Sequence, residues 1–471
     1  MELPNIDPEK ITNLEEAKKA LYMVLNRFED CLHLLSNQQE TIKRLQEEIA
    51  RLKGQPKKPQ FAHATGSKQG AFTRNLLQEK TPWHKQGKGK LPIDHHENLP
   101  EVEQCHCGSR MFRTIRTHRK IVQGIVFARN NVAYHGKTKQ CVTCGETYKS
   151  TLPENLKGIS FDPMLKSFIS YLKFSCRMTY PLILRMLKGF GTQISNGEIN
   201  TMLLQNGYTL QQAVKHVKTV GFQKSSYLQS DATGAKRKDK KTGLIRNQYA
   251  QIICNRFLSV FSITKYYNIK TLNRLLGKEG KKKPLVGDDG SPNNGCSCRC
   301  KQVCWVHEIR HYKKMFPFFN PHQKFQERIL SEWRTFYHLA KDYGSDPPTT
   351  ATVATRKAIE ELFDKITSQV TEYDDLNKQL RLTRRKKSRL LLFLDHTELP
   401  IHNNQCEQDL RQFVIIRKIS GETKSVKGDR SIANHLSVIQ TAQKQGLDIF
   451  ATLHGLLTSQ LSPSVLTVNI S

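Results

Sequence analysis

Three acidic positions in this chain stand where carboxylates can act on a phosphodiester. Asp231 closes the run SSYLQSD, Asp288 and Asp289 close PLVGDD, and Glu407 sits in IHNNQCEQDLRQFVIIRK between asparagines and a row of cations. Carboxylate oxygens are hard ligands, and three of them on separate elements can hold two magnesium or manganese ions. The charge balance points to the substrate. Lys and Arg number 74 against 42 Asp and Glu, a formal net charge of +32. Such an excess gains binding free energy by displacing counterions from phosphates. A nucleic acid is therefore the expected partner. A basic enzyme of another kind is the alternative, but the excess recurs in blocks along the chain.

The elements that would carry these carboxylates begin at Lys224. SSYLQSD, NQYAQIICN and FLSVFSITKY predict three consecutive strands, the last two separated by the turn-like Asn255 and Arg256. NIKTLNRLLG predicts a helix, PLVGDD a short strand, and QVCWVH a strand running into the helical EIRHYKKMF. Three strands, a helix and a further strand is the order of a ribonuclease H-like α/β domain. In that arrangement the first and fourth strands set their terminal aspartates side by side. Helical patterns over 323–342 and 351–380, followed by RLTRRKKSR, read as a helical insertion at about 321–390 within a catalytic domain of 224–455. A separate helical domain with a solvated charged face is the alternative.

Asn404 and Glu407 have the spacing of a capping box, and Arg411 lies four residues on, on the same helical face. Taken alone, that would make Glu407 a structural residue.

The remainder of the 471-residue chain reads as accessory modules. Residues 13–53 predict a helix whose apolar positions, Leu21, Leu25, Phe28, Leu32, Leu35, Ile42, Leu45, Ile49 and Leu52, form a coiled-coil seam. It can pair with a second copy or fold back on its own chain. Residues 54–100 are rich in Lys, Gln, Gly and Pro and read as a basic flexible linker. In 101–150, Cys105-x-Cys107 and Cys141-x-x-Cys144 flank a strand-rich stretch, a pattern suited to a tetrahedral structural zinc. His106, His118 or His135 can substitute as ligands, and four buried free thiols are the alternative. Residues 156–220 predict helices, with Pro181 in a first turn and a capping box from Ser195 to Glu198. A turn at Gly191 between two of them allows a helix-turn-helix DNA reader or a small helical bundle. A second sulfur group, Cys296, Cys298, Cys300 and Cys304 with His307, is a candidate to bind metal and brace the site. No apolar run approaches the roughly 18 residues of a membrane span. A cytoplasmic chain with reduced thiols is expected.

Several of these stretches together resemble the insertion sequence 66 family of bacterial transposases. The run INN..E with SGETKSVKGDRSIANHLSVIQTAQKQGLD looks like its C-terminal catalytic signature. CWVH at 304–307, followed by Arg310, matches its motif after the second aspartate, and SDATG at 230–234 is similar to its first-aspartate motif. The resemblance covers nearly the whole chain and is weakest before Glu101. It implies a DDE-type transposase of ribonuclease H-like fold, a homo-oligomer that cuts element ends and joins them to target DNA. The implied triad is Asp231, Asp289 and Glu407, with Asp289 favoured over Asp288 because the family's second aspartate precedes a glycine. Arg411, Arg417 and Lys418 are the expected phosphate contacts, and accessory proteins of the same element the expected helpers. The chain departs from the family at His402, where Asp is commoner, and at Cys105-x-Cys107, where two residues usually separate the cysteines. The competing readings are a catalytically inactive DNA-binding regulator and an assembly scaffold derived from such a transposase.

Overall fold

The computed structural model describes residues 11–52, 129–140, 147–151, 160–239, 242–343 and 353–470, together with positions 106, 110 and 144. Two units divide the chain, 1–33 with 127–471 and 34–126. All elements below belong to the first, except the later half of the opening helix.

A five-stranded mixed sheet organises the structure. Its strands are β3 (Leu228–Lys238), β4 (Ile245–Cys254), β5 (Ser259–Thr264), β6 (Leu285–Gly287) and β7 (Lys301–Val303), in the order β5-β4-β3-β6-β7. The first three are antiparallel, while β6 runs parallel to β3 and β7 parallel to β6. The expected neighbours, the first and fourth of these strands, therefore lie side by side. One expectation changes. β3 does not end at Asp231 but continues to Lys238, because its hairpin with β4 pairs every residue from Gln229 to Lys238. A separate ribbon, β1 (Thr138–Gln140) with β2 (Thr147–Lys149), is antiparallel.

Helices build two cores on this sheet. Helices α2 (Pro163–Phe174), α3 (Tyr180–Gly189) and α4 (Asn196–Thr209) precede it, followed by α5 (Gln211–His216), a π-helical turn at Val217–Gly221 and α6 (Phe222–Lys224). Asp162 caps α2, and the Ser195–Glu198 capping box starts α4 as its sequence predicts. Between β5 and β6 runs α7 (Ile269–Gly280), and α8 (Ser291–Gly295) follows β6. After β7 come α9 (Trp305–Lys313), α10 (Asn320–Tyr343), α11 (Val353–Thr367), α12 (Asp374–Arg385) and α13 (Lys387–Leu390). The chain closes with α14 (Asn404–Ser420), α15 (Val426–Lys444) and α16 (Ile449–Leu457).

The helices before β3 have no core of their own. Ile169, Ile199 and Leu203 are buried in one cluster with Ile252, Val260, Phe413 and Leu436. The inserted helices form the second core with the other half of the sheet, where Trp305, Trp333, Phe336 and Phe363 join Val286 and Val303. Trp305 and Phe336 ring centroids lie 4.4 Å apart. Gln302 and Trp305 strap this core to the sheet, each donating to the Leu390 carbonyl.

The predicted N-terminal helix is present as α1 (Leu14–Leu52). Its early part folds back on the insertion through polar contacts. Glu29, 2% exposed, accepts from the Phe318 backbone N–H at 2.5 Å and pairs with His322. His322 stacks on Tyr373 at 4.5 Å. The seam residues Leu21, Phe28, Leu35, Ile42, Leu45 and Ile49 nevertheless stay 51–58% exposed.

α4 packs closely on α15. A Cβ on Gly207 would lie 2.6 Å from Ser431 Cα, a backbone atom that cannot swing aside. Alanine is the better helix former by roughly 1 kcal/mol, yet overpacking of this kind costs about 1–3 kcal/mol. Gly207→Ala is therefore expected to lower stability in urea unfolding. An unchanged midpoint would mean the two helices are not so tightly apposed.

Candidate active site

Pairing between β3 and β6 sets Leu228 beside Leu285 and Gln229 beside Val286. Extended by two residues, that register brings Asp231 beside Asp288. Gly287 agrees, since a Cβ there would lie 3.1 Å from Ser230 Oγ. Side chains on a strand alternate between faces, so Asp288 follows Asp231 and Asp289 turns the other way. Asp288 Oδ1 accepts from the Gly290 N–H at 3.2 Å and from Asn293, whose own carbonyl accepts from Ser230 Oγ at 2.5 Å.

Asp289, the expected second carboxylate, is engaged elsewhere. Its oxygens meet Lys386 Nζ and Arg389, each at 3.2 Å, and accept from Asn294 at 3.0 Å. Burial pushes this carboxyl up, but Asn294 and the two cations outweigh it and hold Asp289 below its ordinary range. Lys386 is itself buried against Glu308, whose Oε1 accepts from Thr383 at 2.6 Å. Removing one member of such a buried pair costs about 3–5 kcal/mol. The basic run before Leu390 thus grips the loop after β6.

Glu407 lies one turn into α14. The helix begins at Asn404, and its cap residue Asn403 makes no side-chain capping bond. The capping-box reading of Asn404 and Glu407 therefore gives way. Asn403 Nδ2 instead donates to Ser230 O at 2.8 Å, and its backbone N–H meets Cys304 Sγ at 3.2 Å. These bonds tie the start of α14 to the residue before Asp231 and to the end of β7. Arg411 is not the ion partner of Glu407. Arg310 is, at 3.2 Å, with His307 Nε2 at 3.6 Å.

Asp231 and Glu407 line one cleft of about 270 Å³, with Ala232, Thr233, Leu410, Arg411 and Val414. Burial, reinforced by the charges of Asp288 and Glu407, raises the Asp231 carboxyl to about 7. The Glu407 Oε1 atom is buried without a hydrogen-bond partner, as are Asn403 Oδ1 and the Tyr267 hydroxyl. Burial and then the charges of Asp288 and Asp231 drive the Tyr267 phenol upward. Buried polar atoms normally find partners, so this cluster of orphans marks a place suited to a polar or cationic guest. Among the described residues, no three His, Cys, Asp or Glu side chains stand in metal-holding geometry. Arg310 and His307 occupy the Glu407 carboxylate instead.

The expected phosphate contacts divide. Arg411 lines the cleft, Arg417 donates to the Gly234 carbonyl of β3, and Lys418 is exposed on α14. Of the expected zinc ligands, Cys105, Cys107 and Cys141 lie outside the described residues, while Cys144 is exposed in the turn joining β1 to β2. In the second sulfur group, Cys296 donates to Asn293 O at 3.2 Å and Cys298 to Cys300 O at 3.4 Å. Cys304, raised to about 11 by burial, receives the Asn403 N–H. Cys296 and Cys298 also meet each other side chain to side chain.

Sequence reasoning gave no role to Asn403, Tyr267, Lys386 or Arg389, quoted Arg310 only as part of a motif, and read His307 as a companion of the second sulfur group rather than of Glu407. The alternation rule applied to GDD would have separated Asp288 from Asp289. The partners of Glu407 carry no local signal, since Arg310 is 97 residues away.

Comparison with known proteins places the chain in a family. The family model described as transposase IS66 family matches residues 158–431, which include the sheet, the insertion and all of α14. An uncharacterized protein of Sinorhizobium fredii, y4jO, is 37% identical over 150 residues, 31% of this chain and 45% of that protein. The chain thus spans less than half the length of that curated relative. No helix among the described residues is long and apolar enough to cross a membrane. With the family model covering more than half of its length, the chain belongs to the transposase IS66 family.

Proposed function

We propose that this chain is a DDE-type DNA transposase with a ribonuclease H-like catalytic domain. It binds the ends of an insertion element, cuts a strand there and joins the freed 3′ end to target DNA. The observation that carries this reading is the cleft in which Asp231 and Glu407 meet, with the buried Glu407 Oε1 left without a hydrogen bond. The two phosphoryl displacements use water and then the 3′-hydroxyl as nucleophiles, so no covalent protein–DNA intermediate forms.

The acidic set is Asp231, Asp288 and Glu407, with Asp288 replacing the expected Asp289. Supporting this choice are the β3–β6 register and the capture of Asp289 by Lys386 and Arg389. These carboxylates suit magnesium or manganese, which when bound would activate the attacking oxygen and stabilise the leaving one. Asn403 fixes where Glu407 projects, Asp289 holds the loop that carries Asp288, and Arg411 meets the DNA backbone at the cleft. Arg310 keeps the Glu407 charge compensated until the site is loaded, with His307 beside it. Arg417 and Lys418 extend the cationic face of α14 along the DNA.

A structural zinc at Cys105, Cys107, Cys141 and Cys144 is part of the same proposal, supported by the β1–β2 ribbon that brackets the second cysteine pair. So are self-association through the exposed seam of α1 and cooperation with accessory proteins of the element.

The decisive experiment is cleavage of a labelled duplex bearing the element's terminal repeat, with manganese or magnesium. Glu407→Gln should bind this DNA but lose cutting by more than the roughly 10–100-fold that a supporting residue costs. Cutting by the variant at the rate of the intact chain would refute the assignment. Binding by both with cutting by neither would favour the inactive-regulator reading. Asp288→Asn should match the Glu407 variant in cleavage and weaken manganese binding in calorimetry. Asp289→Asn should lose only about 10–100-fold. The reverse ranking would restore Asp289 as the ligand.

Stability carries a pH signature. Asp231 is raised from 3.8 to about 7 in the folded chain. The folded state therefore holds the proton more tightly, and its stability falls as pH rises through about 7. In metal-free buffer, Asp231→Asn should raise the melting temperature most at pH 8 and by less than half as much at pH 5, since the penalty builds from about pH 3.8 to about 7. Equal effects at both pH values would mean that Asp231 is not held protonated.

A further inference from the structure

A second cavity, of about 480 Å³, lies between α2–α4 and the elements β3, α14 and α15. Lys173 of α2 lines it and is only 5% exposed. Its Nζ donates to Met178 O at 3.2 Å and to Ser420 Oγ at 2.7 Å, and lies 4.8 Å from the Tyr180 ring centroid. Among the described residues no carboxylate pairs with it. Burial alone depresses its pKa to about 8.

A buried ammonium is costly unless an opposite charge compensates it, and a lysine has three N–H donors to satisfy. Two neutral acceptors and a ring face leave the charge itself unmatched. Cations prevail in the surrounding wall, since Lys236, Arg417 and Lys424 also line the cavity against two acids, Glu422 and Asp429. Of these, Asp429 is already taken up by Arg237 at 2.8 Å and by Thr423, which leaves the half-buried Glu422 as the one opposing charge on the wall. The cavity is thus complementary to an anion. α14 joins it to the active cleft, because Glu407 and Arg417 sit on that one helix ten residues apart, about 15 Å at 1.5 Å per residue.

We infer that this cavity binds a backbone phosphate of the DNA strand, with Lys173 as its buried cation and the exposed Lys236 and Lys424 at its mouth. The inference rests on the reading of the chain as a DNA-processing protein and adds to it a contact outside the catalytic cleft.

The test is fluorescence anisotropy with a labelled terminal-repeat duplex from 50 to 200 mM salt, about the range over which phosphate contacts are resolved. Lys173→Met should weaken binding and reduce the slope of log affinity against log salt by about 0.9, the value of one lost phosphate contact. A purely structural lysine predicts something different. Because the folded state disfavours the charged form, the cost of Lys173 is fully present below pH 8 and fades toward 10.5. Removing it should therefore leave the melting temperature at pH 7 unchanged or higher. An unchanged salt slope in Lys173→Met overturns the cavity assignment and leaves the transposase reading intact. Absence of any DNA binding by the intact chain overturns both. Should Lys173→Met fail to fold, the exposed pair Lys236→Met with Lys424→Met takes its place, and an unchanged slope there overturns the inference equally.

Discussion

Parallel pairing between β3 and β6 is short, and the site depends on where it stops. β6 contributes only Leu285–Gly287, and the chain leaves the sheet at the level of Asp231. Backbone groups that would have continued the ladder are released just where two carboxylates come level. A strand forced to bury like charges would pull apart. Here the Asn293 bridge between Ser230 and Asp288 holds the separation, and burial, with the Asp288 charge behind it, raises the Asp231 carboxyl to about 7. Asp289 faces away to two cations, so the second acid of the pair adds no further repulsion.

The third carboxylate reaches this point by another route. α14 is anchored at its first turn by bonds from Asn403 to β3 and to Cys304, and along its length by Cys406, Leu410, Phe413 and Ile416 in the core. The acidic cluster therefore draws on both cores. The insertion steadies the loop after β6 through Lys386 and Arg389, while the sheet and the C-terminal helices place Glu407. Ion pairs at such sites contribute modestly where water reaches them. The buried Lys386–Glu308 contact is different in kind, because neither partner can be rehydrated alone.

Much of this was legible in the residues. Alternating apolar stretches marked the strands, Ser195 and Glu198 marked a helix start, and SSYLQSD, GDD and NNQCE marked the acids. Asp289 was preferred to Asp288 on family habit, whereas the two-residue period of a strand separates them. What stayed hidden is what depends on distant pairs. Glu407 meets Arg310 across 97 residues, and Glu29 meets His322 across 293, with no local pattern announcing either. Asn404 was misleading for a related reason. It has the spacing of a cap, but the helix starts with it, and the amide of Asn403 before it donates to a buried carbonyl on β3.

The adjacency of Cys406 and Glu407 limits what insertions and deletions this lineage can survive. Cys406 Sγ lies 2.9 Å from Cys254 Sγ in the core, while the next residue faces the cleft. Each residue added to a helix turns everything beyond it by about 100°. A single codon gained or lost between Asn403 and Glu407 would carry the carboxylate into the core and a thiol toward solvent. The three positions from Asn404 to Cys406 thus behave as a reading frame for the site, in which their number matters before their kind.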